Sequence, residues 1–482
     1  MNINKRQDPN CKSVAFLTLG CKVNSYETEA MQKIFEDAGY RTVDFNQHSD
    51  VYVVNTCTVT NIADRKSRQM LHKARKMNED AVVVAVGCYV QTAEEILEQD
   101  EAIDVVIGNN KKKDIIHILD EYYERNRNNK SDEKEEDLEY NIDIEKSHIN
   151  AELDKEKRFT ATLKDNVIDI AAETEYEDLS IESVSEKTRA YIKIQDGCNQ
   201  FCSYCIIPYA RGRVRSREEK SIIKEVENLV LKGYKEIVLT GIHLSSYGID
   251  LEKENQLLQL IVNLSKIDGL KRIRLGSLEP RIITEEFAET LSDNTKICPH
   301  FHLSLQSGCD ATLKRMNRKY AAKEYYEKCL LLRKYFTNPA ITTDVIVGFP
   351  GETEEEFTCT KEFLKKVSFA QMHIFKFSIR KGTAAERMPN QVRDEIKTDR
   401  SNALIKLEEV MAKEYRSLFL DKTENILIEE TITVDGKTYQ MGHNERYMKL
   451  AVTSDKDLTN QMIKGRVSGF LNKDIMFCEI MD

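Results

Sequence analysis

The chain has 482 residues, 41% of them apolar, with 71 Lys/Arg against 81 Asp/Glu for a net charge of −10. That length suits two to four domains at about 150 residues each. No run of about 18 apolar residues occurs and the first dozen residues are polar, which excludes a membrane span or secretory signal from the reading; a cytoplasmic chain is expected, whose twelve cysteines point to metal ligation or catalysis, not disulfides.

Three apolar runs, Ser13 to Leu19, Asp50 to Val54 and Ala81 to Val86, read as strands of a parallel sheet covered on both faces. Helical patterns over Tyr26–Ala38, Ala63–Met77 and Thr92–Gln99 alternate with them, so residues 1–124 are predicted to form an α/β domain. Each strand runs into a cysteine: Gly20-Cys21, Asn55-Thr56-Cys57 and Gly87-Cys88. Ligands bind at the carboxyl ends of such strands. Free thiols also pack at buried strand ends, but three at equivalent positions, two beside a glycine, favour a site for a cluster on Cys21, Cys57 and Cys88.

Residues 125–187 carry 19 Asp/Glu against 10 Lys/Arg, few apolar residues and no hydrophobic period. The composition is that of an acidic, disordered linker. The rest of the chain is then close to neutral.

A strand over Arg189–Gln195 delivers the run Cys198-Asn199-Gln200-Phe201-Cys202-Ser203-Tyr204-Cys205. Three thiolates on one loop hold three irons of a four-iron cluster and leave the fourth open to a small molecule, since a closed cluster takes four cysteines. A zinc loop would bring a second cysteine pair or histidines, and none follows at such spacing. Beyond it, strands over Glu236–Thr240, Lys271–Gly276, Phe301–Leu305, Ala340–Val347 and Gln371–Phe377 alternate with helices such as Ser221–Lys232 and Lys323–Tyr335. That repetition over residues 188–414 predicts a partial (β/α) barrel with its site at the strand ends. Arg211, Arg213, Arg215 and Arg217 share one face if extended, which suits RNA phosphates as well as a solvated basic edge. From 415 to 482, short β-like pieces separated by turns such as Asp435-Gly436 predict a small barrel of OB type.

With both cysteine sets in view, the chain resembles the methylthiotransferase branch of radical S-adenosylmethionine (SAM) enzymes over nearly its whole length. The matching segments are Leu19-Gly20-Cys21-Lys22-Val23-Asn24-Ser25-Tyr26-Glu27, Asn55-Thr56-Cys57-Thr58, Gly87-Cys88-Tyr89-Val90-Gln91 and the CxxxCxxC loop. The wording Gly20-Cys21-Lys22-Val23-Asn24, with Asp64-Arg65-Lys66-Ser67-Arg68 and Thr240-Gly241-Ile242-His243, is similar to the members that act on N6-threonylcarbamoyladenosine at position 37 of tRNA. The resemblance implies two [4Fe–4S] clusters, SAM, a C-terminal TRAM domain, the tRNA anticodon stem-loop as partner, and an electron donor and sulfur source. It implies a 5′-deoxyadenosyl radical formed at Cys198, Cys202 and Cys205 and sulfur delivered from Cys21, Cys57 and Cys88; no catalytic residue is assigned beyond these ligands. It places SAM contacts at Thr240, Gly241, Ser304, Gln306, Asp344 and Gly348, of which the glycines equally serve turns and the others barrel-interior polarity. Isopentenyladenosine in tRNA, a ribosomal protein, or a non-catalytic iron–sulfur or RNA-binding role are the alternatives. The acidic segment is longer than this family leads one to expect.

Overall fold

The computed structural model describes residues 11–93, 97, 100–136, 166–180, 188–251 and 256–481. They form two compact units, Met1–Ile181 with Ile206–Arg213, and Glu182–Cys205 with Val214–Asp482.

The first unit is built on five parallel strands, β1 (Ser13–Thr18), β2 (Arg41–Val43), β3 (Val51–Thr56), β4 (Val82–Gly87) and β5 (Val105–Ile107), in the order β2-β1-β3-β4-β5. Alternation assigns successive valines to opposite faces. Val83 and Ala85 pack with Leu71 and Ala74 of the helix Asn61–Met77, while Val82, Val84 and Val86 pack with Phe35 of the helix Lys22–Asp37 and with Ile118. A sheet covered on both faces has no room for a polar alternation, which is why β3 and β4 are buried throughout. The short strands β2 and β5 carry too few residues to show a period in sequence. The helix expected over Thr92–Gln99 lies mostly outside the described residues.

The expectation of a disordered acidic linker needs correction at both ends. A helix spans Ile115–Glu136, supported by the i,i+4 pair Arg125–Glu121 at 3.3 Å. Residues 166–180 dock on the sheet: the Asn166 and Ile168 carbonyls accept from Gly108 N and Gln91 Nε2 at 2.9 and 2.8 Å, and Glu177 accepts from Lys113 N at 3.0 Å. Specific hydrogen bonds to the sheet, which composition does not report, hold this stretch. Residues 137–165 and 181–187 of the segment lie outside the described residues.

The second unit begins with β6 (Arg189–Asp196), β7 (Arg215–Ser216), β8 (Glu236–Gly241), β9 (Arg272–Leu275), β10 (His300–His302), β11 (Ala340–Val347) and β12 (Gln371–Lys376). β6-β8-β9 and β10-β11-β12 are parallel sheets, and the parallel bridges Ile273↔Ile297 and Leu278↔Leu303 continue one toward the other. The result is a partial barrel with helices outside, all its strands but β7 pointing their carboxyl ends the same way. Phe301, Leu303, Val345 and Val347 face the helices; by the two-residue period, His302, Ser304, Asp344 and His373 line the inner wall.

The helix Asp394–Ser417 leads into a closed barrel of β13 (Thr423–Val434), β14 (Lys437–His443), β15 (Lys449–Val452), β16 (Met462–Phe470) and β17 (Ile475–Ile480), ordered β13-β14-β15-β17-β16. Asp435 and Gly436, at φ 49° and 74°, form the two-residue turn between β13 and β14. This barrel seals the floor of the larger one. The Tyr447 ring stacks between His300 and His443, at centroid distances of 5.3 and 4.4 Å, with the Arg189 and Arg274 guanidiniums near it. Arg272 and Arg274 donate to the carbonyls of His443, Asn444 and Glu445. Burial pushes the Glu236 carboxyl up, but Arg274, Arg189 and Arg272 outweigh it and hold it at about 2. No described helix is long and apolar enough to cross a membrane.

Candidate active site

In the first unit, β1, β3 and β4 are neighbours, so the cysteines after them converge. Each of the Cys21 and Cys88 thiolates raises the Cys57 pKa, which burial, the largest cause, pushes to about 11. Gly20 and Gly87 hold φ of +100° and +97°; a Cβ on Gly20 would lie 2.9 Å from Cys57 Sγ, and one on Gly87 2.6 Å from Asn55 Oδ1. The cradle therefore has room for sulfur and not for another side chain, which fits a cluster seated on the three thiols.

Polar residues of the same segments stitch the strand ends together. Asn24 Nδ2 donates to the Leu19 and Thr56 carbonyls at 2.7 and 2.9 Å, and Asn55 Nδ2 to Asn24 O at 3.0 Å. Thr56 Oγ1 donates to Val86 O at 2.6 Å and accepts from Tyr89 N at 3.2 Å. The helix Ile207–Arg211 belongs to this unit. Through it Arg211 enters the cradle: its Nε donates to Cys88 Sγ at 3.2 Å, one terminal nitrogen to Glu27 Oε1 at 2.7 Å, and the other to Glu27 Oε2 and Asn24 Oδ1 at 3.0 and 2.7 Å.

This corrects the reading of the four arginines as one extended RNA-facing edge. Arg211 is in a helix, and Arg211, Arg215 and Arg217 are buried. Arg217 pairs with Glu225, and Arg215 lies 3.9 Å from Asp196. Arg211 and Arg217 are each drawn inward by a buried carboxylate, Glu27 and Glu225. Arg213 alone is exposed.

In the second unit, β6 ends in Gly197 at φ +70° and the CxxxCxxC loop. Gln195 Nε2 donates to the Asp196 and Gly197 carbonyls, and its Oε1 accepts from His243 N at 2.7 Å, tying the loop to the end of β8. Phe201, at φ +49°, is held in the left-handed region by Asn317 Nδ2, which donates to its carbonyl at 2.8 Å. Ser203 bonds the Arg315 and Met316 carbonyls and accepts from Ala385 N. Burial pushes the Cys198 thiol up to about 11.

Arg318, which sequence reasoning passed over, donates to Cys202 Sγ at 3.2 Å. Its other terminal nitrogen lies 3.9 Å from Glu279. Glu279 Oε1 and His243 Nε2 are buried without a hydrogen bond among the described residues, an arrangement that costs about 1–3 kcal/mol per group unless a ligand completes it. Burial, followed by Arg318, lowers the His243 pKa to about 4, so its ring is neutral at pH 7. Glu279 Oε1, an open acceptor, fits the amino group of SAM, and the His243 ring can accept beside it when Nδ1 donates to Ser246 Oγ.

The expected SAM contacts all lie on barrel strands or just past their ends. Thr240 and Gly241 close β8, where a Cβ on Gly241 would meet Gln195 at 2.9 Å. Ser304 N donates to Leu278 O, and its carbonyl accepts from Tyr320. Gln306 sits at φ +71° and bridges to Val345. Asp344 faces His302 across 3.3 Å, and His302, Asp344 and His373 have ligand atoms within 4.8 Å of one another. Gly348 N is already taken by Glu352 at 2.6 Å, and a Cβ there would meet Lys397 at 2.3 Å, so its turn and packing explain it without a ligand.

Comparison with known proteins bears on both sites. Residues 13–108 match the model of Uncharacterized protein family UPF0004, and residues 192–364 that of the radical SAM superfamily. A threonylcarbamoyladenosine tRNA methylthiotransferase MtaB from Bacillus subtilis is 39% identical over 98% of this chain and 97% of its own. The chain belongs to the radical SAM methylthiotransferase family. The MtaB of Aquifex aeolicus is 37% identical over 89% of this chain and 97% of its own. A tRNA-2-methylthio-N(6)-dimethylallyladenosine synthase from Clostridium novyi, 33% identical over 86% and 84%, is a more distant relative. Among solved structures, the radical SAM methyltransferase TsrM from Kitasatospora setae superposes with a TM-score of 0.54 at 16% identity, covering 76% of this chain and 75% of its own, a likeness of fold. A radical SAM methylthiotransferase uses a [4Fe–4S] cluster and SAM, which accords with the acceptors left open beside the CxxxCxxC loop.

Proposed function

We propose that this chain adds a methylthio group to carbon 2 of N6-threonylcarbamoyladenosine at position 37 of tRNA. Residues 1–124 are then the auxiliary cluster domain, 188–414 the radical SAM domain and 415–482 the TRAM domain. The observation that carries the reading is the pair of three-cysteine sites, each with a buried arginine on one sulfur, in a chain matching the Bacillus MtaB almost end to end. The relative's name supplies the substrate; the two sites supply the need for it, since an unactivated aromatic carbon requires both a radical and a sulfur source.

When bound, SAM and the two clusters supply a 5′-deoxyadenosyl radical and the sulfur. The chain does the rest. Cys198, Cys202 and Cys205 hold one cluster and Cys21, Cys57 and Cys88 the other; Cys57 and Cys198, with pKa values near 11 before metal arrives, give up their protons on ligation. Glu279 and His243 receive the SAM amino group. Thr240, Gly241, Ser304, Gln306 and Asp344 shape the wall that holds the nucleoside part of SAM. An electron donor and a sulfur source act as partners, and the tRNA anticodon stem-loop brings the base.

Nucleoside mass spectrometry of tRNA from cells with and without this gene tests the reading. Loss of 2-methylthio-N6-threonylcarbamoyladenosine is expected on deletion, with return on complementation. Persistence of that nucleoside, or loss of the isopentenyladenosine derivative instead, contradicts the substrate assignment.

A further inference from the structure

The cradle of the first unit contains more charge than three thiols need. Arg211, Glu27 and Lys112 are all fully buried. Lys112 Nζ lies 3.3 Å from Glu27 Oε2 and donates to Asn109 Oδ1 at 2.6 Å. Asn109 Nδ2 in turn donates to Ala210 O at 2.6 Å and points at Cys88 Sγ at 3.8 Å. Two cations face one carboxylate, so this group of three side chains carries a net charge of about +1 into a site of low dielectric, where such a charge is felt strongly. Burying three charges is costly, and packing alone would be met as well by apolar residues. The bidentate Arg211–Glu27 pair fixes the guanidinium plane, and that leaves Nε aimed at one sulfur.

We propose that Arg211 is a positioning residue that acts through Cys88 to raise the reduction potential of the cluster held on Cys21, Cys57 and Cys88, with Glu27 and Lys112 setting how much of its charge the cluster feels. The inference rests on the reading of that site as a cluster site. The sign follows from charge: a hydrogen bond from a cation to a ligating thiolate stabilises the more negative, reduced state. Glu27, which lies close enough to raise the Cys21 pKa, acts in the opposite sense. Asn24 explains the position of its motif in the same terms, because its Oδ1 accepts from Arg211 while its Nδ2 locks the ends of β1 and β3.

The test is an EPR-monitored redox titration of the reconstituted full chain carrying C198A, C202A and C205A, so that one cluster gives the signal. Into it go Arg211→Gln, Arg211→Lys and Glu27→Gln. R211Q is expected to cut the reduced-to-oxidised ratio at the parent's midpoint at least tenfold, about 59 mV downward for one electron. E27Q is expected to move the midpoint upward, and R211K to fall between R211Q and the parent. If R211Q loses its iron, R211K and E27Q still give the two signs. Midpoints that stay within experimental error of the parent, or that move in the same direction for R211K and E27Q, overturn the inference. A parent that binds no cluster overturns the reading of the site itself, and its iron content reports that separately.

Discussion

Glu236 shows how single residues in this chain carry consequences at a distance. It is almost wholly buried, and it neutralises Arg274, Arg272 and Arg189 where the C-terminal barrel meets the floor of the larger one. Glu236→Gln removes the carboxylate and leaves the guanidiniums in place, so a loss of about 3–5 kcal/mol is expected, measured as a lower thermal midpoint of the purified chain. Glu279 makes a different prediction, because its carboxylate has an acceptor to spare. Glu279→Gln is expected to raise the SAM concentration needed for half-maximal 5′-deoxyadenosine formation by about tenfold, a cost of about 1.4 kcal/mol, with iron content unchanged. An unchanged SAM dependence would remove Glu279 from the site. The convergence of Cys21, Cys57 and Cys88, and the placing of the CxxxCxxC loop at the end of β6, were legible in the sequence because strand ends and spacing are local features. Arg318 and Glu279 were not, since each reaches its site through a loop whose own sequence has no period. Alternation of Arg211 with Arg213, Arg215 and Arg217 suggests an exposed edge, and only tertiary structure turns Arg211 and Arg217 inward to Glu27 and Glu225.

At the scale of elements, the strand-to-cysteine turns decide whether a cluster fits. Gly20→Ala places a Cβ within 2.9 Å of Cys57 Sγ at a φ of +100°, a conformation that alanine tolerates poorly. The reconstituted variant is expected to bind about four irons where the parent binds about eight, while retaining SAM cleavage; a full complement of iron would show that the turn does not hold the cluster. The parallel strands β1, β3, β4, β8 and β11 were read from near-continuous apolar runs, and their boundaries shift by no more than two residues. The short strands β2 and β5 carry too few residues for such a run, β10 covers His300–His302 where Phe301–Leu305 is expected, and β14, rich in polar residues, is made by the Asp435-Gly436 hairpin and by barrel closure. The acidic segment misled for a related reason. Its composition argued against a core, yet the stretch at 166–180 is held through its own Asn166 and Ile168 carbonyls, which accept from Gly108 N and the Gln91 side chain, and through Glu177, which accepts from Lys113 N.

For the molecule as a whole, His243 and Glu236 each make stability fall as pH is lowered. His243 sits near 4 in the folded chain against an ordinary 6.5, and Glu236 near 2 against 4.5. In both windows the unfolded chain binds more protons, so stability rises with pH. The thermal midpoint should be level from about pH 6.5 to 8, fall between 6.5 and 4 with His243, and fall again from 4.5 toward 2 with Glu236; E236Q should flatten the lower limb alone. An unchanged lower limb in E236Q would assign it to other carboxylates. The central claim, that two cysteine-held clusters in one chain deliver a methylthio group to threonylcarbamoyladenosine, is tested most directly in vitro. The reconstituted chain, reduced and given SAM, is incubated with an anticodon stem-loop bearing N6-threonylcarbamoyladenosine, and the digested RNA is read by mass spectrometry. The account predicts the 2-methylthio derivative from the parent and none from Cys57→Ala, which still forms 5′-deoxyadenosine. Equal product from Cys57→Ala, or no product from a parent that binds both clusters and cleaves SAM, would contradict it.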